Sequence, residues 1–258
     1  MLSSLTPLIC TLGALGGPDC TYSEAGGSTA TAVAPIVAPA VEKVKWTDAL
    51  GTAAITGAIN FKGEAPVRAK LDTSSDGNCH GPEVLDETVI VSDAGGLKNV
   101  FVWVSDGLGN YKFETPEEPA VLTQKGCTYV PHVLGLMEKQ TLMIKNEDET
   151  THNVHSFSNK NKGFNQAQPA GAPALEKVFK RDEGLFQIKC DMHAWMGCWI
   201  AVVDSPFFAV TDDAGHYDLG KLPAGTYEIS FKHESLGTQK KEITVADGAA
   251  QAIDITFE

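Results

Sequence analysis

The chain has 258 residues, with 33 acids against 20 bases and a formal net charge of −13. A binder of the phosphate backbone carries a basic face; the strongest basic cluster here is Lys240-Lys241, so nucleic acid is set aside as a partner. Apolar residues make up 43% and charged residues 21%, which excludes wholesale disorder and suits one large domain or two small ones.

Residues 1–20 are uncharged before Asp19 and contain the apolar patch Leu8 to Leu15. The patch is shorter than the roughly 20 apolar residues of a spanning helix, so no transmembrane span is expected. It fits the core of an export signal, although the usual Lys or Arg before it is missing. Cys10 or Cys20 offers a point for a lipid or membrane tether, but neither follows a good small-residue pattern. Residues 21–46, with AGGSTATAVAPIVAPAV from Ala25 to Val41, read as a low-complexity linker. A periplasmic or extracellular location is expected, with the folded part starting near Trp46.

Ala53 to Phe61 alternates with period two and places Ile55, Ile59 and Phe61 on one face, the mark of a strand. Thr88 to Ser92 is expected as a second strand. Asn99 to Ser105 is a third, apolar on both faces and therefore central. Further strands are expected at Ala120 to Gln124, Val133 to Met137, Thr141 to Asn146 and His152 to Phe157. Phe164 to Ala174, with Pro169 and Pro173, reads as loop. Leu175 to Lys180, Gly184 to Cys190 and Cys198 to Asp204 follow as strands. The last group is Phe207 to Thr211, His216 to Leu219, Gly225 to His233, Lys240 to Val245 and Gln251 to Phe257. Short strands separated by Gly, Pro and Asp turns predict an all-β chain of sandwiches with little helix.

One segment carries chemistry. Cys190-Asp191-Met192-His193-Ala194-Trp195-Met196 holds a thiol, an imidazole and a thioether within one loop between two strands. An upstream imidazole is available in Thr151-His152-Asn153-Val154-His155. Two His, one Cys and a weak axial Met form the ligand set of a blue-copper electron-transfer site. A binuclear copper centre needs two Cys four apart in the loop, and Cys198 lies beyond Met196. Zinc accepts Cys and His, but Met is a poor ligand for it and no zinc-finger spacing is present. His155 is an alternate or rim ligand, or a polar strand residue. His132 reads as structural, and His80, His216 and His233 as surface or packing residues.

Cys190-x2-His193-x2-Met196 with His152-Asn153 upstream resembles the cupredoxin family, in particular the amicyanin type with its short ligand loop. Tyr129-x-Pro131 and Leu142-x-Ile144-x-Asn146 agree with the same pattern. The resemblance spans about 120 to 204. It implies a Greek-key sandwich binding copper, Cu(I) or Cu(II), through His152, Cys190 and His193, with Met196 as weak axial ligand. It also implies that Asn153 ties the two ligand segments together near Asp191. Asp191 places a negative charge beside the thiolate, which favours a lower potential, and Trp195 is expected beside His193 on an apolar docking patch. Cys79 and Cys127 do not fit the ligand loop and are the expected disulfide pair in an oxidising compartment, although spacing alone does not fix connectivity. Cys198 is expected as a buried thiol.

Phe208 to Thr211, Asp212-x2-Gly215-x-Tyr217 and Leu222-Pro223-x-Gly225-x-Tyr227 resemble the carboxypeptidase-regulatory-like, transthyretin-like sandwich. Ile55 to Ile59 and Asn99 to Val102 are similar to its first half. The resulting division is 47–117 for the first part of that sandwich, 118–205 for the cupredoxin unit and 206–258 for the remainder, with insertion favoured over a tandem order. Asp212 and Asp213 are read as turn formers rather than calcium ligands. The arrangement is also similar to cupredoxin proteins labelled methylamine-utilisation-like, a label from which no methylamine chemistry is taken. No enzyme signature is found: paired carboxylates, a nucleophile elbow and H-E-x-x-H are missing. The expected role is a one-electron carrier whose acidic surface steers a redox partner such as a cytochrome c. Copper delivery, or a structural β protein with a relict site, are the alternatives.

Overall fold

The computed structural model describes residues 42–79 and 83–258. The expected export signal, Cys10, Cys20, His80 and most of the expected linker lie outside the described residues. No helix among the described residues is long and apolar enough to cross a membrane. These residues are nearly all β, as expected; their one helical element is the 3-10 turn Asp48–Leu50.

In chain order the first strands are β1 (Val44–Lys45), β2 (Ala53–Phe61), β3 (Phe101–Asp106) and β4 (Tyr111–Lys112). The middle strands are β5 (Ala120–Gln124), β6 (Tyr129–Val130), β7 (Val133–Met137), β8 (Thr141–Asn146) and β9 (His152–Ser156). After them come β10 (Asn165–Gln168), β11 (Leu175–Val178), β12 (Glu183–Lys189) and β13 (Gly197–Val203). The last are β14 (Phe208–Val210), β15 (His216–Leu222), β16 (Gly225–His233), β17 (Gly237–Val245), β18 (Ala250–Ala252) and β19 (Ile255–Phe257).

The middle strands build two sheets, ordered β10-β9-β12-β13-β7 and β11-β8-β5-β6. Period-two alternation turns Leu122, Leu142 and Ile144 of one sheet and Val154, Ile188 and Ile200 of the other into a shared buried core. The flanking strands build two more sheets, β14-β3-β16-β17 and β15-β2-β18, with β19 also beside β2. Their core contains Ile55, Ile59, Val102, Leu219, Ile229 and Phe231. The Leu222-Pro223 corner is closed by the Tyr227 hydroxyl, which donates to the Pro223 carbonyl at 3.0 Å. At the Asp212 turn, Asp212 Oδ1 accepts the N–H groups of Ala214 and His216, the turn-forming role expected of it. Gly215 there has φ +82°, and a Cβ would lie 2.4 Å from the Ile59 carbonyl oxygen, so only glycine fits.

β3 is apolar on both faces because it serves two cores. Val102 and Val104 enter the flanking core, while Phe101 and Trp103 join Phe208, Val133, Ala201 and Val203 in a third cluster. That cluster joins the β14-β3 edge to β7 and β13 of the middle sheets. A buried side chain of this size contributes roughly 1.5–3 kcal/mol. Gly135 of β7 makes the approach possible, since a Cβ there would come within 2.6 Å of the Phe101 and Phe208 rings.

Three local expectations differ. Thr88 to Ser92 forms no strand; Val91 makes a single isolated bridge with Leu97. The turn closed by the Gly95 N–H on Ser92 O reverses the chain too soon for a longer ladder. Within the expected loop Phe164 to Ala174, Asn165–Gln168 pairs with β9 as a polar edge strand, because both prolines lie beyond it. Val44–Lys45, at the end of the expected linker, pairs in parallel with β4.

Candidate metal centre

β12 and β13 are paired neighbours, with Lys189 opposite Gly197, so residues 190–196 form a short connection between them. Two backbone bonds tighten it: Cys190 N–H donates to Met196 O at 3.1 Å, and Met196 N–H to His193 O at 2.9 Å. His152 enters from the start of β9, which flanks β12 on its other side. Nδ1 of His152 and Nδ1 of His193 lie 2.8 Å apart, and Cys190 Sγ is 3.8 Å from His193 Nδ1. Ligand atoms of the three residues all fall within 4.8 Å of one another. Relative exposure is 0% for His152, 3% for Cys190 and His193, and 2% for Met196, which packs in the same core cluster as Cys190.

Each imidazole turns its other nitrogen to a carboxylate. His152 Nε2 donates to Asp148 at 2.9 Å, and His193 Nε2 to Asp76 at 3.0 Å. The Asn78 N–H and the Thr150 hydroxyl hold the Asp76 carboxyl down at about 2. Asp148 also accepts the N–H groups of Gly126 and Cys127, at 2.6 and 2.9 Å, in a turn where both residues have positive φ. Ionised carboxylates only accept, so the Nε2 atoms carry the protons. Burial is the main influence on His152 and lowers its pKa against the pull of Asp148. With Nε2 the donor in each ring, the two Nδ1 atoms face each other 2.8 Å apart beside a sulfur, an arrangement that suits a cation between them. Two imidazoles and a thiolate, with a thioether at hand, fit copper by softness and by type.

The neighbouring residues divide clearly. Asn153 Oδ1 accepts the Asp191 N–H at 2.6 Å and the Met192 N–H at 3.3 Å, and the Cys190 thiol donates to it at 3.3 Å. This is the tie between ligand segments that the sequence led us to expect. Asp191 turns its carboxylate outward to His155 at 3.0 Å and to Asn165 at 2.6 Å. The His155 bond is the largest influence lowering its pKa, so its carboxylate is held at the surface by hydrogen bonds. His155 stacks on Phe157 with ring centroids 4.2 Å apart and is outside the donor group. His132 pairs with Glu234 and faces Glu87. Trp195 lies 4.9 Å from His193 between ring centroids. Its Nε1–H is committed to the Cys127 carbonyl, and the outer edge of His193 is covered by Asp76.

Cys79 and Cys127 are disulfide-bonded, and Cys190 and Cys198 are free. Burial pushes the Cys198 thiol well up, consistent with a packing role. Sequence reasoning missed both carboxylates. Asp148 stands four residues before His152 and carried a local signal; Asp76 is 117 residues from His193, and only its closeness to Cys79 in sequence pointed towards the site.

Neither a family model nor a curated protein matches the chain. Among solved structures, a copper-containing nitrite reductase from Thermus scotoductus SA-01 is similar over 34% of this chain and 23% of its own, at 19% identity and a TM-score of 0.31. The chain thus spans less than a quarter of that reductase. A purple cupredoxin from Nitrosopumilus maritimus is similar over 32% of this chain and 98% of its own, at 23% identity and a TM-score of 0.28. A mutant amicyanin in its reduced Cu(I) form covers 34% of this chain and 86% of its own, at 20% identity and a TM-score of 0.29. These likenesses concern a third of the chain, and the reading of the metal centre stands on its own residues.

Proposed function

We propose that this chain holds one copper ion between His152, Cys190 and His193, with Met196 as a weak fourth ligand, and carries single electrons between redox proteins. The observation that carries this reading is the convergence of two carboxylate-oriented imidazoles on a buried thiol, with their Nδ1 atoms 2.8 Å apart. Copper, when bound, supplies reversible one-electron exchange between Cu(I) and Cu(II). The thiolate favours the lower state and the imidazoles suit both. Asn153 and the two backbone bonds of the loop hold the donors in one arrangement, which keeps reorganisation small. Burial excludes water, and electron transfer needs no substrate on the metal. That supports a carrier rather than an enzyme.

The sequence resemblance supports reading 118–205 as a cupredoxin unit. The pairing of β2 and β3 with strands from β14 onward supports an insertion between the halves 47–117 and 206–258 of a regulatory-like sandwich. The Cys79–Cys127 bond suits an exported, periplasmic or extracellular protein. A net charge of −13 suits a partner with a basic docking face, such as a cytochrome c. Copper delivery, the rival reading, needs a donor that an acceptor protein can reach, and the burial of all four donors disfavours it.

The test is the visible and EPR spectrum of the full chain reconstituted with Cu(II). The expected result is an intense thiolate-to-copper band with narrow hyperfine splitting, lost in Cys190→Ser. Ordinary copper signals without that band overturn the proposal.

A further inference from the structure

The carboxylate on His193 does not belong to the strands that carry the ligands. Asp76 lies in the connection between β2 and β3, two strands of the flanking sheets. Its placement is built rather than incidental. Asp76 Oδ1 accepts the Asn78 N–H at 2.8 Å, and Oδ2 accepts both the Thr150 hydroxyl at 2.7 Å and His193 Nε2 at 3.0 Å. The Cys79 N–H donates to the Asp76 carbonyl at 3.0 Å, and Cys79 is bonded to Cys127. Cys127 in turn donates its N–H to Asp148, the carboxylate on His152. The segment bearing one carboxylate is thus covalently joined to the turn that seats the other. The His193 side chain is only 4% exposed beneath it.

We propose that Asp76 is a positioning residue for the metal centre, through which the flanking sandwich completes a site whose ligands all lie elsewhere. This rests on the copper reading and deepens it. By accepting the Nε2 proton, Asp76 fixes the tautomer and ring orientation of His193 and leaves Nδ1 as the metal-facing donor. A carboxylate partner also makes the imidazole a stronger donor, which favours the more highly charged Cu(II). The flanking unit therefore sets the redox preference of the centre as well as covering it.

Two variants of the full chain separate the hydrogen bond from the charge. Asp76→Ala removes both; Asp76→Asn keeps an acceptor and removes the charge. Loss of an outer partner of this kind costs about 10- to 100-fold in metal affinity. Asp76→Ala is expected to weaken Cu(II) binding by at least about tenfold relative to Cu(I), and so to raise the potential by about 59 mV per tenfold. Asp76→Asn is expected to raise it with less effect on ring orientation. Long-range proton–nitrogen NMR of the metal-free chain reads the His193 tautomer directly: Nε2–H in the parent chain, a mixture in Asp76→Ala. Thr150→Val, which removes one support of the carboxylate, should move the potential in the same direction by less. An unchanged tautomer together with an unchanged potential in folded Asp76→Ala overturns the assignment. The NMR arm needs no copper, so an absent thiolate band in the parent chain would defeat the copper reading and leave the tautomer result to decide the role of Asp76.

Discussion

The side-chain oxygen of Asn153 accepts the backbone N–H of Asp191 at 2.6 Å, joining the residue after His152 to the residue after Cys190. Asn153 follows His152 on β9, and Asp191 follows Cys190 beyond β12. One amide therefore fixes the distance between the segments that carry His152 and Cys190. Asn153→Ala leaves the Asp191 and Met192 N–H groups without this acceptor, at a cost of about 1–3 kcal/mol. Urea unfolding of the metal-free chain should show the loss, and the copper-loaded variant should show a broadened thiolate band. An unchanged midpoint and band would mean that the loop is rigid without Asn153.

Met196 is 2% exposed and shares the core cluster of Cys190, so Met196→Leu should fold at a cost below about 1.5 kcal/mol. It removes the weak sulfur donor while keeping the volume. Copper binding and the thiolate band should persist, while the potential rises, because the axial ligand tunes it and the loss of a donor costs the more highly charged Cu(II) more than Cu(I). Voltammetry decides it; an identical potential would remove Met196 from the ligand set.

The Cys79–Cys127 bond spans a sequence separation of 48. Closing a loop of that length stabilises a chain by about 4 kcal/mol in the entropic account. Replacing both residues by Ser should lower the urea midpoint accordingly. Hydrogen exchange around Asp76 and Cys127 should rise more than in β16 and β17, which lie outside the tether. Equal exchange in both regions would show that the bond does not hold the cover over His193.

Glu183, at the start of β12, is 6% exposed. Its burial alone would raise its pKa, but bonds from Ser158, Asn159 and Asn161 outweigh that and hold it below the ordinary 4.5. The unfolded chain then binds more protons across the acid range, so stability rises with pH there. The contribution is complete above 4.5 and disappears as pH falls through the lower folded value. Glu183→Gln should cost about 1–3 kcal/mol at neutral pH, with the gap to the parent chain closing under acid. Urea midpoints at neutral pH and well below 4.5 test this; a gap independent of pH would assign the effect to shape rather than charge.

Much of the candidate site is legible in the sequence because its spacing is local. Cys190, His193 and Met196 share one short loop between adjacent strands, and such a loop has few ways to aim its side chains. Period-two alternation in Ala53 to Phe61 and in Phe101 to Asp106 likewise reports its strands, since burial on a sheet repeats every second residue. Tertiary structure decided the rest. Asp76 meets His193 across 117 residues because its segment is held against the middle strands by the Thr150 hydroxyl and by the Cys79–Cys127 bond. The same carboxylate covers the outer edge of His193. Thr88 to Ser92 has the composition of a strand but only one bridging partner. Local pattern encodes what a segment can form and which face it buries; which distant carboxylate reaches an imidazole depends on how separate cores close on one another.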